Sequence, residues 1–200
     1  MSWISALSPT NFASLSGARI AALRTEDFKA LTKAQLGAMT ADQIGAIEPI
    51  DMAVLTADKV AAFNPQALAD GLVIYESNNP AGLPSKQMAA LTGVQINKFS
   101  AELVSSLLPK MTAAQIGSIS TTAIPRLGSS ISTLSAAQLV GFTPLQKAVF
   151  TTAQNVAFSV EQLKNVGRLS PAQISAIDPS LISSIGNSAI SNSKSNCCIG

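Results

Sequence analysis

Residues 31–63 read LTKAQLGAMTADQIGAIEPIDMAVLTADKVAAF, and how this stretch is read decides the fold. Large apolar residues recur every eight positions: Leu31, Met39, Ile47, Leu55 and Phe63 in one row, Leu36, Ile44, Met52 and Val60 in a second. The first row extends upstream through Leu23, Leu15 and Leu7, the second through Phe28, Ile20 and Phe12 and downstream to Leu68. The period returns with slipped phase at Leu83, Leu91, Phe99 and Leu107, at Met111, Ile119 and Leu127, at Leu134, Phe142, Phe150 and Phe158, and at Leu169, Ile177 and Ile185. Repetition of this kind is the first signal to seek in a sequence.

The period excludes one continuous element. Eight residues advance an α-helix by about 80°, so the apolar stripe would spiral round the rod. A strand keeps one face only with even spacings, and the spacings here alternate between five and three. A short helix that restarts in every unit satisfies both rows. The local chemistry agrees. Thr32 suits an N-cap with Gln35 at N3, a capping box, and Leu31 and Leu36 flank it as the hydrophobic staple. Thr40 with Gln43, Thr112 with Gln115, Ser135 with Gln138 and Ser170 with Gln173 repeat the arrangement. Pro9, Pro49, Pro65, Pro144, Pro171 and Pro179 fall just after the cap, the helix position that tolerates proline best. Helices of two turns are marginal alone, so the units must stack. The small pairs Gly37-Ala38, Gly45-Ala46 and Ala61-Ala62 leave room for close approach. The sequence therefore predicts an all-α solenoid or superhelix of about twenty very short capped helices, one per octad.

The octads LTKAQLGA, MTADQIGA, MTAAQIGS and LSAAQLVG resemble the tandem L-T-T-A-Q-I-x-A repeats of large bacterial surface and adhesin-like proteins. They are more loosely similar to the L-[ST]-P-E-Q-[IL] units of mesothelin- and stereocilin-type superhelices. The resemblance covers nearly the whole chain and implies a non-catalytic adhesion or scaffold array.

Breaks in the period divide the chain into an octad array over 1–68, a loop insertion over 69–82, a second array over 83–190 packed continuously on the first, and a flexible tail over 191–200. The insertion, ADGLVIYESNNPAG, ends in a loop signal, Asn78-Asn79-Pro80. It reads either as a spacer between sub-arrays or as a protruding contact loop presenting Tyr75, Glu76, Asn78 and Asn79. Phe142, Phe150 and Phe158 stand in consecutive first-row positions, and their second-row neighbours include Lys147 and Asn155. They read either as a thicker core with snorkelling polar neighbours or as an exposed aromatic ridge that docks a partner. Trp3, before the first unit, reads as a lid on the end of the core.

At 200 residues, 47% hydrophobic and 12% charged, the chain can bury a sizeable core. Its net charge of +2, with no run of Lys or Arg, argues against a nucleic-acid binder. Charge is unevenly placed: five basic and eight acidic residues up to Glu76 give −3, eight basic and three acidic from Ser77 give +5. Such an asymmetry favours head-to-tail contacts between copies at low salt. The start, MSWISALSPTNF, is a poor Sec signal. No run of 18 apolar residues predicts a transmembrane helix. The compartment stays open between cytoplasm and cell surface. Cys197-Cys198-Ile199-Gly200 has the register of a prenylation box, so Cys197 and Cys198 read either as lipidation sites or as part of an unmodified tail.

Catalysis is not expected. The chain has no His, no phosphate-binding glycine motif and no metal-ligand spacing, so neither a cofactor nor a metal is anticipated. The expected function is a structural or protein-interaction scaffold whose partner is a protein, including a second copy. The alternative is a lipid-anchored membrane-peripheral or effector protein, with a small-molecule binder or enzyme behind both.

Overall fold

Helices begin at Pro9, Gly17, Thr25, Lys33, Ala41, Pro49, Ala57 and Pro65, each eight residues after the last. The structure, a computed structural model, describes residues 3–159 and 161–163, and no strand occurs among them. The chain divides into two compact units, Met1–Leu103 and Val104–Gly200.

In the first unit a 3-10 turn at Trp3–Ala6 leads into seven short helices: α1 Pro9–Ala13, α2 Gly17–Ala21, α3 Thr25–Ala30, α4 Lys33–Ala38, α5 Ala41–Gly45, α6 Pro49–Met52 and α7 Ala57–Val60. Their ends are set by side chains. The Thr32 hydroxyl accepts the Gln35 N–H at 3.2 Å, and Gln35 Oε1 accepts the Thr32 N–H at 2.9 Å. Thr40 and Gln43 repeat the pair at 3.3 and 3.0 Å. Each box satisfies two of the N–H groups that a helix start otherwise leaves without partners. Pro9 and Pro49 occupy the first helical position. Both apolar rows turn inward. Leu31, Met39, Ile47, Leu55 and Phe63 are buried, as are Phe12, Ile20, Phe28, Leu36, Ile44, Met52, Val60 and Leu68. Burying each such side chain stabilises by about 1.5–3 kcal/mol.

The helices also pack across the repeat: α4 on α1, α5 on α2, α6 on α3 and α7 on α4. The N3 glutamine makes this register specific. While Gln35 Oε1 closes its own cap, its Nε2 donates to Ile4 O at 2.7 Å and Leu7 O at 2.9 Å. Gln43 Nε2 does the same to Phe12 O and Leu15 O, at 3.0 and 2.7 Å. Lys59 occupies the same slot and donates Nζ to Lys29 O at 2.6 Å. The N3 side chain thus ties its helix to carbonyls about 30 residues back, three to four octads earlier, and where it is Gln35 or Gln43 it also closes the helix start. At the surface, Lys33 bonds Asp58 at 2.8 Å. This bond, with one from the Thr56 hydroxyl, lowers the Asp58 carboxyl to a pKa of about 2.

The expected loop over 69–82 is corrected. Residues 65–78 form a single helix, α8 Pro65–Asn78, capped by the Asn64 side chain and packed on α5. The next cap in the octad would fall at position 72, which is Leu, and no proline follows until Pro80. With neither signal the helix continues. It is followed by α9 Ser85–Ala89 and α10 Gly93–Ile96. Gln87 Nε2 then bonds Ala53 O and Leu55 O, and Gln95 Nε2 bonds Val60 O and Phe63 O, at separations of 32–35 residues instead of 28–31. The helix starts at Pro65 and Ser85 are 20 residues apart where two octads would take 16. The segment therefore replaces two octads with one longer helix and lengthens the repeat by four residues, about one helical turn.

The division between the units falls in α11, Ala101–Leu107. The second unit continues with a 3-10 turn at Leu108–Lys110, α12 Ala113–Ser118, a 3-10 segment at Ile124–Thr133, α13 Ala136–Leu139, α14 Pro144–Ala148 and α15 Thr152–Ala157. The 3-10 segment is broken at Gly128, whose φ of 52° lies in the region that favours glycine. The glutamine device recurs here. Gln138 Nε2 reaches Leu108 O and Met111 O at 3.2 and 2.9 Å. Gln146 Nε2 reaches Ile116 O and Ile119 O at 2.8 and 2.7 Å, and Gln154 Nε2 reaches Ile124 O at 2.7 Å. The expected boxes at Thr112 with Gln115 and at Ser135 with Gln138 form. Those at Ser170 with Gln173, and the prolines Pro171 and Pro179, lie outside the described residues.

Candidate functional site

The aromatic side chains of the two clusters singled out in the sequence are buried. Tyr75 is fully buried inside the first unit, not displayed on a loop. Its hydroxyl has no hydrogen-bond partner, and burial pushes its pKa above the usual tyrosine value. Glu76 and Asn79 are half-buried, and Asn78 is exposed. Asn79 Nδ2 donates to Tyr75 O at 2.9 Å and closes the end of α8, while Asn78 Nδ2 lies 3.5 Å from Gly45 O on α5. These side chains finish a helix.

Phe142, Phe150 and Phe158 are likewise buried, so the ridge reading is corrected in favour of core. Phe142 meets Phe150 edge-on at 5.1 Å, and Phe150 meets Phe158 at 5.6 Å with tilted rings, the spacings that aromatic quadrupoles favour. Lys147 is half-buried, and desolvation lowers its pKa. Asn155 is buried with Oδ1 unpartnered. Cys197 and Cys198 lie outside the described residues.

The feature the sequence did not announce is at the start of the first unit. Trp3 is 52% exposed and lines an open cleft of ≈ 490 Å³ with Arg19, Ala22, Leu23, Arg24 and Asp27. It does not close the core as a lid. The repeat itself builds this cleft. Arg19 stands at N3 of α2, the slot glutamine fills in α4 and α5, and its backbone N–H is taken by the Ser16 cap at 3.3 Å. Asp27 stands at N3 of α3, is buried, and accepts the Arg24 N–H at 3.1 Å. Arg24 Nε lies 3.7 Å from the same carboxylate while its side chain stays 81% exposed. The cleft is therefore lined by a half-exposed indole, a buried Leu23 and two exposed arginines beside one buried carboxylate. A signal did exist in the sequence: the N3 slot holds Asn11, Arg19 and Asp27 in the first three units, before the first glutamine at Gln35.

Among the described residues no helix is long and apolar enough to cross a membrane. No curated protein and no solved structure matches the chain. A family model described as the ALTTAQ repeat matches residues 20–65, so the stretch from the end of α2 to the start of α8 is of a tandem-repeat kind.

Proposed function

We propose that the chain is a non-catalytic protein-interaction scaffold in which each compact unit is a small solenoid of stacked octads, of the adhesin-like type its repeats resemble. One observation carries the reading. The N3 glutamines Gln35, Gln43, Gln95, Gln146 and Gln154 are buried and joined to backbone groups of their own and an earlier octad. The buried polar chemistry thus builds the stack, and the outward N1 and N2 positions carry small and polar residues together with the exposed apolar side chains of Ile50, Val94 and Leu145, a mixed surface able to make many modest contacts.

The test is chemical crosslinking of the protein in its native setting, with light scattering of the purified chain across protein and salt concentrations. Crosslinks from the outward octad positions to one defined protein, including a second copy, are expected. A chain that stays monomeric, crosslinks to no protein and turns over or tightly binds a small molecule would contradict the proposal.

A further inference from the structure

We propose that the cleft beside Trp3 receives an acidic peptide segment, with its carboxylate on Arg19 and Arg24 and a neighbouring apolar side chain laid on the indole. This deepens the scaffold reading and rests on it, since it names the partner chemistry for one place on the array.

The charge argument comes first. Arg19 makes no ion pair among the described residues, is exposed, and lines the cleft. Arg24 is held by Asp27 through Nε, at 3.7 Å, which leaves its outer nitrogens free for a planar acceptor. Asp27 is buried, accepts the Arg24 N–H and faces the Arg24 guanidinium, so its charge is offset by Arg24 and the cleft stays net positive through Arg19. The unit as a whole carries nine acidic and seven basic residues over positions 1–103, so this positive cleft stands out against an acidic background. Such contrast gives orientation as well as attraction.

Shape and chemistry then select the ligand class. The ≈ 490 Å³ cleft has the size of sites that hold a few side chains. Trp and Arg are among the residue types enriched in protein-interface hot spots. A membrane surface asks for a cluster of four or more basic residues, and a nucleic acid for a basic stripe; two arginines supply neither. The repeat supplies a further reason. Where the N3 residue is Gln35, Gln43, Gln95 or Gln146 it donates to a carbonyl pair, and an arginine in that slot presents a longer, charged donor suited to a carboxylate.

Trp3 is the only tryptophan, so its emission reports this cleft alone. The experiment titrates the full chain with the blocked peptide acetyl-Gly-Leu-Glu-Leu-Glu-amide, and separately with its counterpart carrying Gln for Glu. A saturable change in Trp3 emission is expected with the acidic peptide, weakened by salt. It should weaken about tenfold with the Gln peptide and in Arg19→Gln/Arg24→Gln, the size expected when two charge-assisted contacts are lost. Both side chains are exposed, and circular dichroism checks that the variant keeps its helices. No saturable change, or an equal response to the Gln peptide, overturns the assignment. So does a response to phosphatidylserine vesicles alone, or an emission shift that follows protein concentration without peptide. If Trp3 stays silent while protein crosslinks persist, the cleft assignment fails and the scaffold reading stands; if both fail, the scaffold reading falls with it.

Discussion

At the scale of the residue, the amide of glutamine explains more of this fold than any apolar side chain. Its Oε1 is needed by the helix it starts and its Nε2 by the carbonyls of an earlier octad, so a Glu or Asp in the slot can make the first bond but not the second. Asp51 shows the consequence: it occupies the same slot, has no donor, and leaves Oδ1 buried without a partner. Gln87 shows the converse. Its Nε2 is bonded twice, but the cap position is Pro84, which has neither N–H nor hydroxyl, and Gln87 Oε1 is left unpartnered. Pro84→Thr supplies both missing groups at a backbone geometry close to that of the other caps. It should stabilise the protein by about 1 kcal/mol, after subtracting the chain entropy that proline had removed. Urea denaturation checks this, and an unchanged or lower midpoint would show that the buried oxygen costs nothing.

At the scale of the element, α8 and its contact with α5 show how the array absorbs an irregularity. The two helices approach through glycines: a methyl group on Gly71 would stand 2.9 Å from Ala41 O and 2.7 Å from Ile44 Cβ, and one on Gly45 would meet Ile74. Gly17, by contrast, has only ordinary contact distances around it. Alanine is the better helix former by roughly 1 kcal/mol, so helix propensity alone favours substitution at both places. Gly17→Ala should therefore be neutral or stabilising, while Gly71→Ala should destabilise by about 1–3 kcal/mol, since a backbone oxygen cannot step aside. Thermal melts of the two variants separate these outcomes, and equal behaviour would mean that α5 and α8 do not meet this closely. The helix itself was misread from sequence because Asn78-Asn79-Pro80 is a strong local stop, whereas the missing cap at Leu72 is only an absence.

At the scale of the whole molecule, what could be read from sequence was what depends on near neighbours. The rows through Leu31 and Leu36, the boxes at Thr32 and Thr40 and the proline slot all involve residues within five positions, and each was legible. The bonds from Gln35 to Ile4 and from Gln146 to Ile116 were not, because they join residues about 30 positions apart and no local pattern states which octads meet. The inward turn of Phe142, Phe150 and Phe158 was open for the same reason: a first-row residue is covered only if an octad three to four units away lies over it. The cleft at Trp3 was missed because its arginines look like ordinary surface charges until the N3 slot is recognised as a donor position. The central claim is that the N3 amide joins octads as well as starting helices, and it is tested most directly by urea unfolding of Gln146→Glu. The new carboxylate still accepts the Thr143 N–H but faces Ile116 O and Ile119 O without a proton to give. Its folded-state pKa must rise, so the variant's stability is present below the unfolded value of about 4.3 and is lost as pH climbs through the folded one. The account predicts a loss of about 3–5 kcal/mol near neutral pH, largely recovered at about pH 4. A variant as stable as the parent at neutral pH, with no pH dependence of its own, would contradict it.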